Sequence, residues 1–403
     1  MIHGGASTLP RIEDLDVEGR RVLVRCDLNV PLSNGRIEDD LRIRASLPTL
    51  RELLERGGRL AICSHLGRPK GKVVEDLRLA PVGRRLGELL ERDVMILEDI
   101  AGERARAACS SEAAVVLLEN LRFDPGEEAN EAGFAGALAA LADAYVNDAF
   151  GASHRAHASI VGVPERAAAI AAGVLLTEEV ERLGRLLQAP EEPFVAVLGG
   201  VKVSDKLGVL DHLLSRVQSI CVGGAMAFTL LAAQGEDVGR SLVERDRIGE
   251  VGEVLDRARD NGVDVLLPTD VVVADEPRED SDHSTVDLSD IGDRMGVDIG
   301  PGSSEVFSHA ISNARTVVWN GPMGIFEIEA FSHGTRAVAK AIAAATRAGA
   351  YTVAGGGDSA AALAALDLTD AVVHLSTGGG ASLEFLEGKD LPGVAVLRRR
   401  GST

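Results

Sequence analysis

The sequence predicts an α/β protein with two parallel β-sheets, each flanked by helices. Short runs rich in β-branched residues alternate with longer Ala, Leu, Arg and Glu segments of helical period, a rhythm typical of parallel sheets covered on both faces. At 403 residues the chain is long enough for two domains, each with a full core. The rhythm breaks between about residues 162 and 193, which predicts two similar halves joined through one helix.

Each predicted strand is a short apolar run bounded by polar or turn residues. In the first half we expect strands over residues 21–27, 60–64, 94–97, 115–119 and 145–148. A helical stretch over residues 178–188 precedes a second series at residues 194–198, 220–222, 263–267, 316–319, 351–354 and 372–375. The Asp- and Ser-rich segment 275–293 predicts an acidic surface excursion.

Composition and charge exclude several classes of function. A formal net charge of −20 would repel nucleic acid. We expect no membrane span, because no apolar stretch approaches the roughly 20 residues needed, and no signal peptide. The four scattered cysteines predict buried, reduced thiols in a cytoplasmic protein. The acidic runs, scarce lysine and 3% aromatic content favour adaptation to high salt.

In the first half, basic residues follow the strands, where open α/β sheets bind ligands. The segments at the ends of the predicted strands contain Arg25, Asp27 and Asn29, then His65 and Arg68, then Arg122, and finally His154, Arg155 and His157, while Arg42 follows on the next helix. Any one of these is more often a solvated charge. Four arginines at successive strand ends predict instead a site for a small phosphate-bearing carboxylate.

In the second half the strand ends are rich in glycine, and two of the few lysines lie there. The chain has six lysines and 36 arginines, yet Lys202 and Lys206 stand four residues apart just after Gly199 and Gly200. A mobile ammonium suits a phosphoryl group in transit, whereas the flat guanidinium is better suited to a fixed phosphate. The alternative is a pair of surface lysines on the first turn of a helix.

Glycine lets a ligand approach the backbone, and a strand-to-helix turn aims free N–H groups at phosphate. The candidates for a nucleotide site lie at two such turns: Asn320 and Glu327, and then Gly355, Gly356, Gly357, Asp358 and Ser359. We expect Asp358 to open a helix over residues 359–366. Its side chain is then either an N-cap or a ligand for Mg²⁺, which takes few protein ligands and several phosphate oxygens.

Other motifs carry less weight. The chain has no G-x-x-x-x-G-K-[ST], so it is not a P-loop enzyme. The D-x-F-G at residues 148–151 lacks the catalytic loop of protein kinases. His154 and His157 have the spacing of metal ligands but no third ligand nearby.

Taken together, these motifs resemble the phosphoglycerate kinase family over nearly the whole chain. The resemblance rests on residues 64–69, 147–159, 198–206, 318–327, 355–359 and 374–389, which are specific jointly rather than singly. The composition suggests an archaeal member from a halophile. The resemblance implies two Rossmann-like domains with a deep cleft: an N-terminal domain (1–165), a hinge helix (166–190), a C-terminal domain (191–375) and a segment (376–403) that returns to the first domain.

The same resemblance assigns roles to individual residues. The phosphoglycerate shell would be Asp27, Asn29, Arg42, His65, Arg68, Arg122 and Arg155. The nucleotide shell for ADP or ATP would be Lys206, Asn320, Glu327, Gly355, Gly356, Gly357, Asp358 and Ser359, with Asp358 as the Mg²⁺ ligand. The groups that neutralise the phosphoryl group in transit would be Arg42, Lys202, Lys206, Gly357, Gly379 and Gly380.

Two other classes of protein remain as alternatives. A dinucleotide-dependent dehydrogenase shares the α/β rhythm, but it needs G-x-G-x-x-G after the first strand, where this chain has Asp27-Leu28-Asn29. A non-catalytic sugar-phosphate-binding protein would keep the arginines but has no need for Lys202, Lys206 and Asp358 together. The expected protein is a monomer.

Overall fold

The computed structural model describes residues 9–401, and the chain divides into two compact units. The first unit contains the chain up to Glu181 and again from Asp390, and the second contains Arg182–Lys389. Residues 1–8, on which the expectation of no signal peptide partly rests, lie outside the described range.

The first unit is built on a six-stranded sheet in the order β5-β6-β4-β1-β7-β8, in which all neighbours are parallel. The strands of this unit are β1 (Arg21–Arg25), β2 (Leu32–Ser33), β3 (Arg36–Ile37), β4 (Arg59–Cys63), β5 (Met95–Ile96), β6 (Val115–Leu117), β7 (Ala144–Asn147) and β8 (Ala169–Ala172), of which β2 and β3 form a separate hairpin. The helices are α1 (Leu41–Glu55), α2 (Ala80–Leu90), α3 (Glu103–Ser110), α4 (Pro125–Glu128), α5 (Ala132–Ala139) and α6 (Val174–Gln188), and α6 runs into the second unit.

Both faces of this sheet are buried, as expected for parallel strands. Along β1, Val22 and Val24 face a core that includes Leu50 of α1 and Leu86 of α2. Leu23 faces the opposite core, between α3 and α5. By this alternation Arg25 lies on the same face as Leu23, inside the protein.

The second unit repeats this plan. Its parallel sheet has the order β11-β10-β9-β15-β16-β17, and a separate antiparallel sheet has the order β13-β12-β14. The strands are β9 (Phe194–Leu198), β10 (Ser219–Val222), β11 (Asp264–Leu266), β12 (Asp270–Ala274), β13 (His283–Asp287), β14 (Met295–Ile299), β15 (Thr316–Asn320), β16 (Tyr351–Gly355) and β17 (His374–Ser376). The helices are α7 (Leu207–Leu213), α8 (Met226–Ala233), α9 (Ile248–Asp260), α10 (Pro301–Ser312), α11 (His333–Arg347), α12 (Gly357–Ala365) and α13 (Gly380–Leu386). The predicted α/β fold is confirmed.

Three details differ from expectation. Strand β8 lies inside the segment 166–190 that was assigned to the hinge helix: its alanines favour a helix locally, but pairing with β7 decides its conformation. The acidic segment 275–293 contains β13, which pairs with β12, and is therefore more than a surface excursion.

The third difference is where the chain returns to the first unit. This occurs at Asp390 and not near residue 376, because α13 packs on α7 in the second unit. The final helix, α14 (Pro392–Gly401), packs against β8, and Nη1 of Arg400 donates to the carbonyl oxygens of Pro164 and Ala167 at 2.7 Å each.

Candidate active site

In the first unit, predicted site residues gather where β1 and β4 end. Nη1 of Arg42 donates to Oδ2 of Asp27 at 2.7 Å. The other carboxylate oxygen of Asp27 lies 3.9 Å from Nδ1 of His65. Oδ1 of Asn29 accepts a hydrogen bond of 2.9 Å from the backbone N–H of Gly67. The loops after the two strands are thus tied together, which fixes His65 beside Asp27.

Arg122 joins this cluster from the turn after β6. The side chain of Asn120 shapes that turn by accepting from the backbone N–H groups of Leu66 and Arg122. Arg122 is only 6% exposed, and its Nη1 donates to the carbonyl oxygen of Gly67 at 2.8 Å. Burial, together with the nearby charge of Arg25, lowers the pKa of Arg122. The turn therefore holds a poorly solvated cation at the strand ends.

The histidines of the cluster are kept neutral. Burial lowers the pKa of His65 well below 6.5, and the neighbouring Arg25, Arg122, Arg42 and His157 lower it further. Burial lowers the pKa of His157 to about 4, with Arg122, Arg25, Arg155 and His154 contributing. These shared influences indicate that the basic side chains face one another. A negatively charged ligand would relieve their repulsion.

Arg68 and Arg155 lie at the surface of this region. Both are exposed, and neither side chain makes a hydrogen bond or an ion pair within residues 9–401. Arg155 still acts electrostatically on His157 and Arg122. Arg68 has only its position after β4 to link it with the site.

In the second unit, Lys206 connects the ends of β9 and β15. It stands at the N-cap position of α7 and is 9% exposed. Its Nζ donates to the carbonyl oxygen of Gly199 and, at 2.9 Å, to that of Asn320. Burial lowers the pKa of Lys206 to about 8, against the opposing charges of Asp358 and Asp205. An ammonium has three donors, so one is left for a ligand.

The glycines of the second unit have two different roles. Gly321 has φ +95°, and a Cβ there would lie 2.5 Å from Nζ of Lys206. At Gly224, with φ +67°, a Cβ would lie 2.5 Å from the backbone of Gly200. These glycines let neighbouring loops pack, so ligand approach is not the only reason for glycine at the strand ends. At Gly357 and Gly379, by contrast, a Cβ would meet nothing within 4 Å.

The turn after β16 differs slightly from its prediction. Helix α12 begins at Gly357 and not at residue 359, and its N-cap is Gly356, at φ +89°. Asp358 therefore lies exposed in the first turn and is not the N-cap. The buried Ser359 accepts a 2.7 Å hydrogen bond from the N–H of Gly321, and Nδ2 of Asn320 donates to Gly355 at 3.0 Å. Ser359 and Asn320 thus hold the turn in place.

A cavity of about 610 Å³ lies beside this turn, which is within the usual size range for a small-molecule site. Its lining is largely apolar, with Phe228, Val297 and Ile325 among the contributing residues. The exposed carboxylates of Glu327 and Asp358 also line it. Such a cavity suits a flat apolar ring with polar groups at its edge.

The remaining predicted residues of this unit are near the protein surface. Lys202 is exposed and its side chain makes no hydrogen bond in the described part of the chain. Gly379 is the N-cap of α13 with φ +54°, and the exposed Gly380 begins that helix. Within residues 9–401 there is no group of three or more His, Cys, Asp or Glu side chains that could hold a metal, so the metal alternative for His154 and His157 gains no third ligand.

A sequence model of a protein family, described as Phosphoglycerate kinase, matches residues 12–389. The chain belongs to the phosphoglycerate kinase family. A phosphoglycerate kinase of Moorella thermoacetica is 53% identical over 392 residues, which cover 96% of this chain and 99% of the relative. A phosphoglycerate kinase of Thermomicrobium roseum is 54% identical over 389 residues, covering 96% and 98%.

Solved structures agree with this family membership. The phosphoglycerate kinase of Coxiella burnetii has a TM-score of 0.87 at 42% identity and covers 98% of this chain and 100% of that chain. That of Pyrococcus horikoshii OT3 has a TM-score of 0.85 at 34% identity, covering 96% and 98%.

Arg25 was counted among the arginines at the strand ends, but no role in the candidate site was predicted for it. Arg25 is fully buried, and its Nη2 lies 3.1 Å from Nδ1 of His65. A charged residue inside an apolar strand is the one sequence feature that could have drawn attention to it. Its partners Ser159 and Glu127 are more than 100 positions further along the chain, so no local pattern connects them.

Proposed function

We infer that this chain catalyses the reversible transfer of a phosphoryl group from 1,3-bisphosphoglycerate to ADP, giving 3-phosphoglycerate and ATP in glycolysis and gluconeogenesis. The observation that carries this conclusion is the family match over residues 12–389, together with identities near 50% to phosphoglycerate kinases over almost the whole chain. The assignments of individual residues are proposals that follow from the family resemblance, and the geometry of each unit supports them to different degrees.

We propose that the first unit binds the phosphoglycerate. The proposed contacts are Asp27, Asn29, Arg42, His65, Arg68, Arg122 and Arg155. Their support is electrostatic, because the neighbouring guanidinium groups of Arg25, Arg122 and Arg155 repel one another and burial opposes the charge of Arg122. A substrate that carries a phosphate and a carboxylate would accept charge-assisted hydrogen bonds from these groups and relieve that repulsion.

We propose that the second unit binds the nucleotide, with the base in the apolar cavity and the phosphates at the start of α12. The proposed contacts are Lys206, Asn320, Glu327, Gly355, Gly356, Gly357, Asp358 and Ser359. The exposed carboxylate of Glu327 suits ribose hydroxyl groups. The open space around Gly357 and the N-terminal end of α12 suit phosphate oxygens.

Asp358 is the proposed ligand of Mg²⁺. It is a single exposed carboxylate beside the cavity, and the described residues offer no complete protein cage for a metal. This donor set fits an ion that binds through one or two carboxylates and the phosphates of its nucleotide. When bound, Mg²⁺ would neutralise negative charge on the phosphate oxygens.

The proposed chemistry needs no protein base. A terminal phosphate oxygen of ADP attacks the acyl phosphate of 1,3-bisphosphoglycerate in line, the new P–O bond forms, and the carboxylate of 3-phosphoglycerate leaves. Catalysis is therefore positioning and neutralisation of charge on the phosphoryl oxygens. Arg42, Lys202 and Lys206 would supply cations, and the N–H groups of Gly357, Gly379 and Gly380 would supply further donors.

Because the proposed donors belong to different units, transfer requires a state in which both sets reach the same phosphoryl group. We propose that a hinge closure forms this state and excludes water. Small-angle scattering should then report a smaller radius of gyration with both substrates bound than with either alone.

A coupled assay with ATP, Mg²⁺ and 3-phosphoglycerate tests the proposed activity. We expect ATP-dependent formation of 1,3-bisphosphoglycerate, detected as oxidation of NADH by glyceraldehyde-3-phosphate dehydrogenase. A chain that binds 3-phosphoglycerate without turning it over would instead be a binding protein. Reduction of a nicotinamide cofactor by the chain itself would support a dehydrogenase.

We further propose that the protein is a monomer and that it acts in the cytoplasm, a compartment in which its four buried free cysteines would stay reduced. Within residues 9–401, no helix is both long enough and apolar enough to cross a bilayer. The halophilic, archaeal source remains a proposal based on the −20 net charge and the scarcity of lysine. The two curated relatives named above are bacterial and lend it no support.

A further inference from the structure

A chain of buried polar groups runs behind the proposed phosphoglycerate site and ends at His65. Arg25 and Glu127 are both fully buried. The hydroxyl of Ser159 lies between them: Nε of Arg25 donates to it at 2.8 Å, and it donates to Oε1 of Glu127 at 2.6 Å. Glu127 also accepts from the backbone N–H of Ser159 at 2.9 Å. The free end of Arg25, its Nη2, reaches Nδ1 of His65 at 3.1 Å.

The contact between Arg25 and His65 determines where the imidazole carries its proton. A guanidinium can only donate, so Nδ1 of His65 must be the acceptor. The neutral ring therefore carries its proton on Nε2. No other side chain or backbone group within residues 9–401 forms a hydrogen bond with this ring, so the Nε2–H remains available for a ligand.

The surrounding charges favour the same state. Arg25, Arg122 and Arg42, together with His157, act on His65 from the neighbouring segments, and the carboxylate of Asp27 is 3.9 Å away. Burial lowers the pKa of His65 and the three cations lower it further, so the imidazolium form is disfavoured.

Arg25 in turn needs Glu127. A fully buried cation is costly unless it is paired, and within residues 9–401 the side chain of Arg25 otherwise forms hydrogen bonds only with neutral groups: Ser159, His65 and the carbonyl oxygen of Cys26. Glu127 is the buried anion that the Ser159 hydroxyl connects to it. A second contact steadies the bridge, because the hydroxyl of Tyr145 donates to the carbonyl oxygen of Ser159 at 2.6 Å.

We propose that Glu127, acting through Ser159 and Arg25, is a positioning residue that holds His65 as the neutral tautomer with its proton on Nε2, so that this N–H donates to the phosphoglycerate. The part of the proposal that concerns phosphoglycerate rests on the proposed function. The part that concerns the tautomer does not.

The first test measures the tautomer of His65 in the unaltered protein. Long-range ¹H–¹⁵N correlation spectra of ¹⁵N-histidine-labelled protein, with the His65 signal assigned by its loss in His65→Gln, distinguish the two ring nitrogens. We expect a protonated Nε2 and an unprotonated Nδ1 for His65 throughout pH 6–8. A signal typical of protonated Nδ1, or of an imidazolium at pH 7, would overturn the proposal.

The second test removes single links. Arg25→Met and Glu127→Gln should each release the ring, giving a mixture of tautomers, and Arg25→Met should also raise the pKa of His65 because its nearest cation is gone. Leu86→Ala, which truncates a fully buried side chain on α2, serves as the control for lost stability and should leave the tautomer unchanged. A single Nε2–H tautomer in folded Glu127→Gln would refute the role of Glu127. If that variant does not fold, Ser159→Ala breaks the same bridge. A single Nε2–H tautomer in folded Ser159→Ala would then refute the role of Glu127.

The third test connects the tautomer with binding. Glu127→Gln should raise the Kd for 3-phosphoglycerate about tenfold, as expected for one misplaced hydrogen bond, and leave the Kd for ADP unchanged. In a His65→Gln background the same change should have almost no effect, because its target is gone. If the effects of Glu127→Gln and His65→Gln on the binding free energy of 3-phosphoglycerate were fully additive, Glu127 would not act through His65. Absence of 3-phosphoglycerate binding in the unaltered protein would refute the proposed function but leave the tautomer result standing.

Discussion

Nucleotide binding should draw a proton onto Lys206, because the ammonium of this residue is poorly solvated in the free protein. Its side chain is 9% exposed, and burial lowers its pKa to about 8. Two backbone carbonyl oxygens and the charge of Asp358 only partly compensate for the lost water. The phosphates of a bound nucleotide would add negative charge next to Nζ and so favour the protonated form.

The size of this effect follows from the pKa. With a pKa of about 8, close to half of the free protein has a neutral Lys206 at pH 8. If the nucleotide restores the ordinary value of 10.5, binding should take up about 0.5 proton at pH 8, about 0.1 at pH 7 and about 0.9 at pH 9.

Isothermal titration calorimetry measures this uptake directly. ADP would be titrated into the protein at pH 7, 8 and 9 in pairs of buffers that differ in ionisation enthalpy, and the difference in apparent binding enthalpy gives the number of protons. Lys206→Met should abolish the pH-dependent part. Lys340→Met, which removes an exposed lysine on α11, is the matched control and should retain it.

An uptake near zero at all three pH values would contradict the reasoning, and so would an uptake that persists in Lys206→Met.

The same variant also tests catalysis. Lys206→Ala or Lys206→Met should lower turnover by about 10²–10³, the loss typical of one well-placed electrostatic donor. Lys206→Arg should not restore it fully, because a planar fork cannot follow a moving group as an ammonium does.

Three further predictions concern other parts of the molecule. Arg68→Ala should weaken 3-phosphoglycerate binding by about 1.5–3 kcal/mol and leave ADP binding unchanged, and calorimetry that finds equal losses for both ligands would contradict the assignment of the first unit. Burial raises the pKa of Asp148 to about 8, so the folded chain keeps a proton that the unfolded chain releases near pH 4, and the stability contributed by this group is lost as pH rises between these values. Asp148→Asn, which keeps an acceptor for the N–H of Leu175, should flatten this slope in thermal unfolding between pH 5 and 9, and an unchanged slope would exclude Asp148 as its cause. With a net charge of −20, the Tm and activity should rise from dilute buffer to molar KCl, whereas a flat or falling Tm would remove the halophile hypothesis and leave the kinase assignment intact.

Sequence periodicity predicted the strands best where a short apolar run with clear boundaries determines the local structure. Strand β9 occupies the residues predicted for it because its apolar run is bounded by Pro193 and Gly199. Strand β13 was not predicted, since His283–Asp287 is mostly exposed and has no apolar alternation. Strand β8 was not predicted because alanine prefers helices, and only the neighbouring β7 makes it a strand.

For the candidate site, too, the sequence does not reveal contacts between distant segments of the chain. Residues such as His65 and Lys206 were predicted because they follow strands whose ends share one edge of a sheet. The dependence of Arg25 on Glu127 could not be predicted, because it joins positions 102 residues apart through the hydroxyl of Ser159. The packing role of Gly321 also depends on a distant segment, the loop of Gly199.

The return of the chain at Asp390 has a consequence for protein synthesis. All strands of the first sheet are translated before any strand of the second, yet α14, which packs against β8, is translated after every strand of the second sheet. On the ribosome the second unit therefore has its complete sequence before the first unit has its final helix. The usual order, in which the N-terminal domain is completed first, is reversed for this chain. Until α14 is translated, the alanine-rich strand β8 at the edge of the first sheet lacks the helix that packs against it.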